Sequence, residues 1–372
     1  MSGALVDLVA TGVQDVYLTG KPEVSFFRQS YKRHTNFAMK TVKLDPIGQL
    51  VANSEISLKI PSKGDLLSYI WIDLGDVTVS NVSNVAIGAD STSPAIFELW
   101  IGGQMVDRQD AYYMTQMWNK FLLDSSAKGY ASLPSSNGAY ATPRTKLLDS
   151  RWIPLHFFFC DSYGLPLIAL QYNEVEIRIK FGNSDPSGYK YYANYVLLDT
   201  VERDFFVNKD QEILIEQVQR IDSDGKTSGN VRFDLSLLNH PVKCLLWGRP
   251  DNTALTTENV QIYLNGTELF GTPLPDIFFT QVQPYYHSEF GNALLEGDSS
   301  DPVNGGSNNK MYSFAMKANK HQPTGTCNFS RLDNADLLIN DTTNAETTFY
   351  LYGVNFNVLR IKQGMAGLAF AN

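Results

Sequence analysis

The side chains in this sequence best equipped for chemistry are its histidines, cysteines and paired carboxylates. His156-x3-Cys160 and His240-x3-Cys244 share one spacing, and His321 precedes Cys327. Imidazole and thiolate are ordinary zinc ligands, so these pairs raise the question of a metal site. Their surroundings argue against one. LHFFFC (155–160) and HPVKCLLW (240–247) are rich in aromatic and branched residues and predict strands. Four residues along a strand span about 13 Å, whereas zinc holds each ligand atom at about 2.0–2.3 Å. Cys160, Cys244 and Cys327 are therefore expected as small buried core residues. No metal and no cofactor is expected. Glu174 and Glu176 alternate with aliphatics, which places them on a solvated strand face rather than in an acid–base pair. The sequence holds no GxSxG elbow, P-loop, GxGxxG or HExxH. Its five histidines (His34, His156, His240, His287, His321) include no H-x-H pair of the kind a metal-binding jelly-roll enzyme needs. No enzyme is expected.

The elements that would position such residues are mostly strands. Glu55–Ile60, Glu174–Phe181, Val231–Leu235, Val260–Leu264 and Val354–Val358 alternate apolar with polar residues. A side-chain period of two fits antiparallel strands with one face on a core and the other on water. Turn-rich stretches separate them, which indicates sandwiches or barrels. Helical signal is thin. One helix is expected from about Asp107 to Leu123, with Tyr113, Met117 and Phe121 four apart and Asp107 or Asp110 as its cap. A short one is expected over Ala4–Ala10. Residues 201–211 are charge-dense and lie between two strand-like runs, so a boundary is placed there. No internal repeat is evident at residue level. Two long exposed loops are expected, 124–145 and 296–310.

Composition agrees with this picture. The 372 residues are 43% hydrophobic, 12% aromatic and 19% charged, which excludes a disordered chain. Three cysteines and an N-terminus without a basic region predict a reducing compartment and no signal peptide. The four N-x-S/T sequons at Asn81, Asn265, Asn328 and Asn340 are read as chance matches. The longest apolar stretch, Ile153–Leu170, is broken by Asp161, Gly164 and two prolines, so no membrane span is expected.

Charge is unevenly spread. Lys21, Arg28, Lys32, Arg33, Lys40 and Lys43 face Glu23 alone within residues 21–43, while the chain as a whole carries −9. The interleaved Phe26, Phe27, Tyr31 and Phe37 fit either nucleic-acid binding or a chain pinned along a sandwich edge. Direct sequence-specific contact with nucleic acid is not expected.

Several strings carry a more specific signal. QDVYLTG (14–20) and SFFRQSYKRHTNFAM (25–39) resemble the amino-terminal signature of the major capsid proteins of nucleocytoplasmic large DNA viruses. So do Ile153–Cys160 with GLPLIALQY (164–172), NHPVK (239–243), QPY (283–285), MYSFA (311–315) with QPTGTCNFSR (322–331), and Asn355–Ile361 with GMAGLAF (364–370). They stand in the family's order from residue 14 to the C-terminus.

The resemblance implies an all-β double jelly roll, two eight-stranded antiparallel sandwiches in one chain. The divisions it suggests are an arm over 1–25, jelly rolls over 26–200 and 212–372, and a linker over 201–211. It further implies a structural shell protein of the virion, assembled in host cytoplasm as pseudo-hexameric homotrimers that tile an icosahedral shell. Minor capsid and penton proteins would be partners, with a docking role toward the inner viral membrane. Arg28, Lys32, Arg33, Lys40 and Lys43 would face inward and meet the minor capsid proteins. The alternatives are a minor capsid paralogue or a jelly-roll carbohydrate-binding module using Tyr112, Tyr113, Tyr130 and Tyr140.

Overall fold

The computed structural model describes residues 9–74, 94–123, 152–160, 163–182, 186–223, 230–248, 259–288, 309–340 and 349–370. Residues 1–36 form one compact unit and 37–372 another. Among its described residues the first contains one helical turn, α1 (Val16–Thr19), and every residue described in it is exposed.

The second unit is built on antiparallel strands. In its first half these are β1 (Phe37–Leu44), β2 (Glu55–Lys59), β3 (Leu66–Asp73), β4 (Ile96–Ile101), β5 (Gln104–Asp110), β6 (Trp152–Pro154), β7 (Val175–Lys180) and β8 (Lys190–Leu198). They pair as two sheets, β1-β8-β3-β6 and β2-β7-β4-β5. The second half contributes β9 (Gln211–Asp222), β10 (Asn230–Asp234), β11 (Pro241–Gly248), β12 (Asn259–Leu264), β13 (Thr267–Glu268), β14 (Lys310–Ser313), β15 (Ala335–Asn340) and β16 (Tyr350–Lys362). These pair as β9-β16-β11-β14 and β10-β15-β12-β13. Adding eight to each strand number of the first half gives the second. The chain therefore repeats one jelly-roll topology, which makes the double jelly roll visible in the strand order itself. Helix α2 (Thr200–Asn208) stands between the two sets, with the Asp199 side chain accepting from the Thr200 amide at its start.

Local chemistry explains the register. β7 alternates buried Val175, Ile177 and Ile179 with half-buried Glu176, Arg178 and Lys180, as a pleated strand over a core requires. Matching tight turns join β4 to β5 through Gly102-Gly103 and β12 to β13 through Asn265-Gly266. Both central residues of each turn have positive φ, the geometry that two-residue hairpins favour and that Gly and Asn tolerate.

Some sequence expectations need correction. The helix expected from Asp107 begins later, because residues 104–110 extend as β5; the helical run is Tyr113–Leu122, wound with π-type hydrogen bonding. Asp110 does cap it, accepting from the Tyr113 amide at 2.7 Å. LHFFFC is not a strand: the strand ends at Pro154, the Leu155 amide makes one further bond to the Ile70 carbonyl, and 158–160 form a turn closed by the Cys160 amide on the Phe157 carbonyl. Cys244 is buried, whereas Cys160 and Cys327 are half-buried at the rims of the cores. The expected loop 124–145 and most of 296–310 lie outside the described residues, as do residues 4–8 of the helix expected over Ala4–Ala10. Asn309 and Lys310, at the end of the second loop, are buried rather than exposed.

Two apolar clusters form the cores. The second sandwich encloses Val242, Leu245, Trp247, Phe279, Leu337 and Leu351. The other cluster fills the first sandwich and continues onto Cys244, Leu246, Met311, Tyr350, Tyr352 and Val354. Those residues alternate with the second core along β11 and β16, so they lie on the opposite face of the sheet. The sheet β9-β16-β11-β14 is thus buried on both sides.

Candidate functional site

The main candidate site is the seam where β5 and the helical segment after it cover the outer face of β9-β16-β11-β14. Its polar residues form a connected network. Asp107 Oδ1 accepts the Val218 amide at 3.0 Å, and the Gln217 side chain donates to the Val106 carbonyl. Asp110 accepts Arg220 Nη1 at 2.9 Å and Tyr352 Oη at 2.8 Å. Tyr112 Oη donates to Asn309 Oδ1 at 2.5 Å. Aromatic edges interlock around this network, Tyr112 against Tyr350 at 5.8 Å and Tyr113 against Tyr352 at 5.3 Å. Arg220 also lies 3.7 Å over the Tyr350 ring. Gly248 is needed here: a Cβ would stand 2.6 Å from Tyr112 Oη and 2.9 Å from Met117 Cε.

Burial sets the charge states along the seam. Removal from water pushes the Asp107 carboxyl up to about 7, despite its amide partners. The same cause raises Asp110, with Arg220 opposing it. Burial works against the Arg220 cation, but the Asp222 hydrogen bond and the Asp110 charge more than offset it and hold it protonated. These charges are shared among hydrogen-bonded partners, the condition under which buried ions are tolerated.

A cavity of about 200 Å³ opens beside the network. Trp118 and His156 stack in its wall at 3.6 Å. Lys243, almost fully buried, pairs with Glu216 at 2.6 Å, and His321 Nδ1 lies 3.5 Å from the other oxygen of that carboxylate. Burial alone would raise Glu216, but Lys243 and His321 outweigh it and hold the carboxyl below its ordinary range.

Two of the histidines singled out above, His156 and His321, have separate partners. His156 stacks on Trp118 and His321 faces Glu216, while the Cys244 thiol is pushed up to about 12 by burial. Among the described residues no group of three His, Cys, Asp or Glu could hold a metal ion. Glu174 pairs with Lys59 at 2.8 Å and Glu176 with Arg178 at 3.2 Å on the solvated face of β7. Tyr112 and Tyr113 are buried in the seam, which removes them as carbohydrate contacts; Tyr130 and Tyr140 lie outside the described residues.

The basic residues fall in two units. Arg28, Lys32 and Arg33 are exposed in the 1–36 unit. Lys40 and Lys43 are exposed on β1 in the other, where Lys43 lines a groove of about 640 Å³ with Lys59 and Lys63. The seam residues were the ones missed by sequence reasoning. A signal was present: Asp107 and Asp110 flank apolar Val106 and Ala111-Tyr112-Tyr113, a poor setting for a solvated helix cap.

Two family models match the chain. Residues 25–228 match the major capsid protein N-terminus and residues 250–367 match the large eukaryotic DNA virus major capsid protein. The chain is 36% identical to the major capsid protein of Pyramimonas orientalis virus, with both chains covered in full. It belongs to the large eukaryotic DNA virus major capsid proteins. The major capsid protein of Paramecium bursaria Chlorella virus 1 is 30% identical, again over all of both chains. A chain from a quasi-atomic model of the PBCV-1 virus capsid superposes with a TM-score of 0.72 at 26% identity, covering 94% of this chain and 100% of that one. The role of this capsid protein is structural rather than enzymatic, and the seam is the joint of a building block. Relatives assemble with themselves into capsids, and the virion capsid is where they reside.

Proposed function

We propose that this capsid protein is a homotrimeric, pseudo-hexameric capsomer that tiles an icosahedral shell. One observation carries the reading: two sandwiches of identical strand order are locked into one block by a buried polar network. A block with two similar halves gives three chains a six-sided outline, and closing a ring hides sheet surface that a lone chain would expose. The divisions proposed are an arm over 1–25, jelly rolls over 26–200 and 212–372, and a connection over 201–211. Arg28, Lys32, Arg33, Lys40 and Lys43 are proposed to face inward, toward minor capsid and penton proteins and the acidic surface of the inner viral membrane, with assembly in host cytoplasm.

Light scattering after size exclusion tests the trimer. A mass of three 41.6 kDa chains that persists on dilution is expected; a stable monomer would favour a minor capsid paralogue. Replacing Arg28, Lys32 and Arg33 with Ser should leave the trimer intact and impair shell assembly. Unchanged assembly would remove those residues from the inward contact.

A further inference from the structure

The repeated topology carries a contact across the chain boundary. In the second sandwich the outer face of β9-β16-β11-β14 is covered by the first sandwich's helical segment 111–122, which follows β5. The second sandwich has its own version of that segment at 276–287, which follows β13. Both begin with two α-helical residues and continue with π-type winding; the second ends in α3 (Gln283–His287). Aligned from their first residues, Tyr112, Met117 and Phe121 correspond to Ile277, Val282 and Tyr286. The first three are at most 1% exposed. The second three are 55%, 38% and 64% exposed, and Tyr285 beside them is 63%. The same knobs are present in both halves, and among the described residues only the first set is seated within the chain.

The corresponding socket is the outer face of β1-β8-β3-β6. In the covered sheet, pairing places Arg220, Tyr352, Leu246 and Met311 in one row across four strands. In the uncovered sheet, Lys43, Tyr192, Trp71 and Pro154 make the same kind of row: cation, tyrosine, two apolar residues. Trp71 stacks on Tyr192 at 4.4 Å, and Met39 and Trp152 are exposed on the same face. An aromatic platform of this kind on a soluble block marks an interface.

We infer that segment 276–287 of one copy seats Ile277, Val282 and Tyr286 on the Trp71–Tyr192 face of a second copy. The joint copies the intrachain seam and differs at its centre. Tyr352 and Arg220 receive the Asp110 carboxylate, whereas Tyr192 and Trp71 receive apolar and aromatic groups. The contact is head-to-tail, so each chain offers one knob set and one socket. This inference rests on the homotrimer proposed above.

The test uses full-length chains and two variants. Ile277→Arg with Tyr286→Arg removes the knobs; Trp71→Glu spoils the socket. Each alone should run as one chain mass while keeping the wild-type far-ultraviolet dichroism and a cooperative unfolding transition, at the lower melting temperature expected of a chain without its partners. Mixed in equal amounts, they should form a 1:1 dimer and nothing larger, because one good knob set meets one good socket. If Trp71→Glu loses its cooperative transition, Met39→Glu on the exposed edge of the same face replaces it. A variant that remains at three chain masses, or a mixture that remains monomeric, overturns the contact while leaving the homotrimer in place. A monomeric wild type overturns both.

Discussion

The two outer sheet faces share a strand order but differ in how they are covered. On β9-β16-β11-β14, Tyr352, Leu246 and Met311 are sealed under residues of the same chain, and a carboxylate network runs through the seal. On β1-β8-β3-β6, Trp71 and Tyr192 are half-exposed, with Met39 and Trp152 open beside them. The difference shows how polarity is allotted. A permanent joint can bury Asp110 and Arg220, because the tether guarantees that each finds its partner. A joint that must form between separate molecules is better built from aromatic and aliphatic surface, which carries no desolvation penalty for charge before the partner arrives.

The comparison can be broken most forcefully at its buried charge. Asp110→Ala leaves Arg220 and Tyr352 without their shared acceptor and should cost about 3 kcal/mol in urea unfolding; a loss below about 1 kcal/mol would mean that water already reaches the seam. Gly248→Val wedges the same joint sterically and should cost about 1–3 kcal/mol, because Tyr112 and Met117 must move. The expected sign is a lower melting temperature, with the second core around Trp247 still protected from hydrogen exchange.

The buried carboxyls also make the joint sensitive to pH. An unfolded Asp carboxyl ionises near 4, while folded Asp107 keeps its proton up to about 7. Its contribution to stability is therefore fully present at acid pH and is lost as pH rises from about 4 to 7. Asp107→Asn should flatten part of that fall, with Asp110 supplying part of the remainder. Parallel curves for variant and wild type would remove Asp107 from the titration. The smallest effect is expected on the open face. Trp71→Ala should change the stability of a single chain by about 1 kcal/mol or less, since it removes a half-exposed stack, while lowering the trimer's resistance to dilution. A stability loss as large as that of Asp110→Ala would show that the face is already covered.

The strands were largely legible because alternation is imposed by the pleat: Val175–Lys180 and Asn259–Leu264 appear where period two runs unbroken. The repeat was not legible, because its two copies share chemistry without sharing residues. The rows Arg220-Tyr352-Leu246-Met311 and Lys43-Tyr192-Trp71-Pro154 have only a tyrosine in common. The seam escaped for a related reason. Asp107 and Asp110 have the polarity of surface residues, and only their pairing with the Val218 amide and with Arg220, 111 and 110 positions away, reveals them as buried. The strand expected over LHFFFC failed differently, since the chain turns at 158–160 and the His156 imidazole stacks on Trp118.

The short helix α2 between the two strand sets has a consequence for how fast rings can form. It tethers one sandwich to the next, so in the homotrimer proposed above half of the six joints of a closed ring would be made within a chain. Such joints form at an effective concentration on the order of millimolar whatever the number of free molecules. Only the remaining three depend on encounter in solution. Joining the halves in one polypeptide would thus reduce a six-body association to a three-body one.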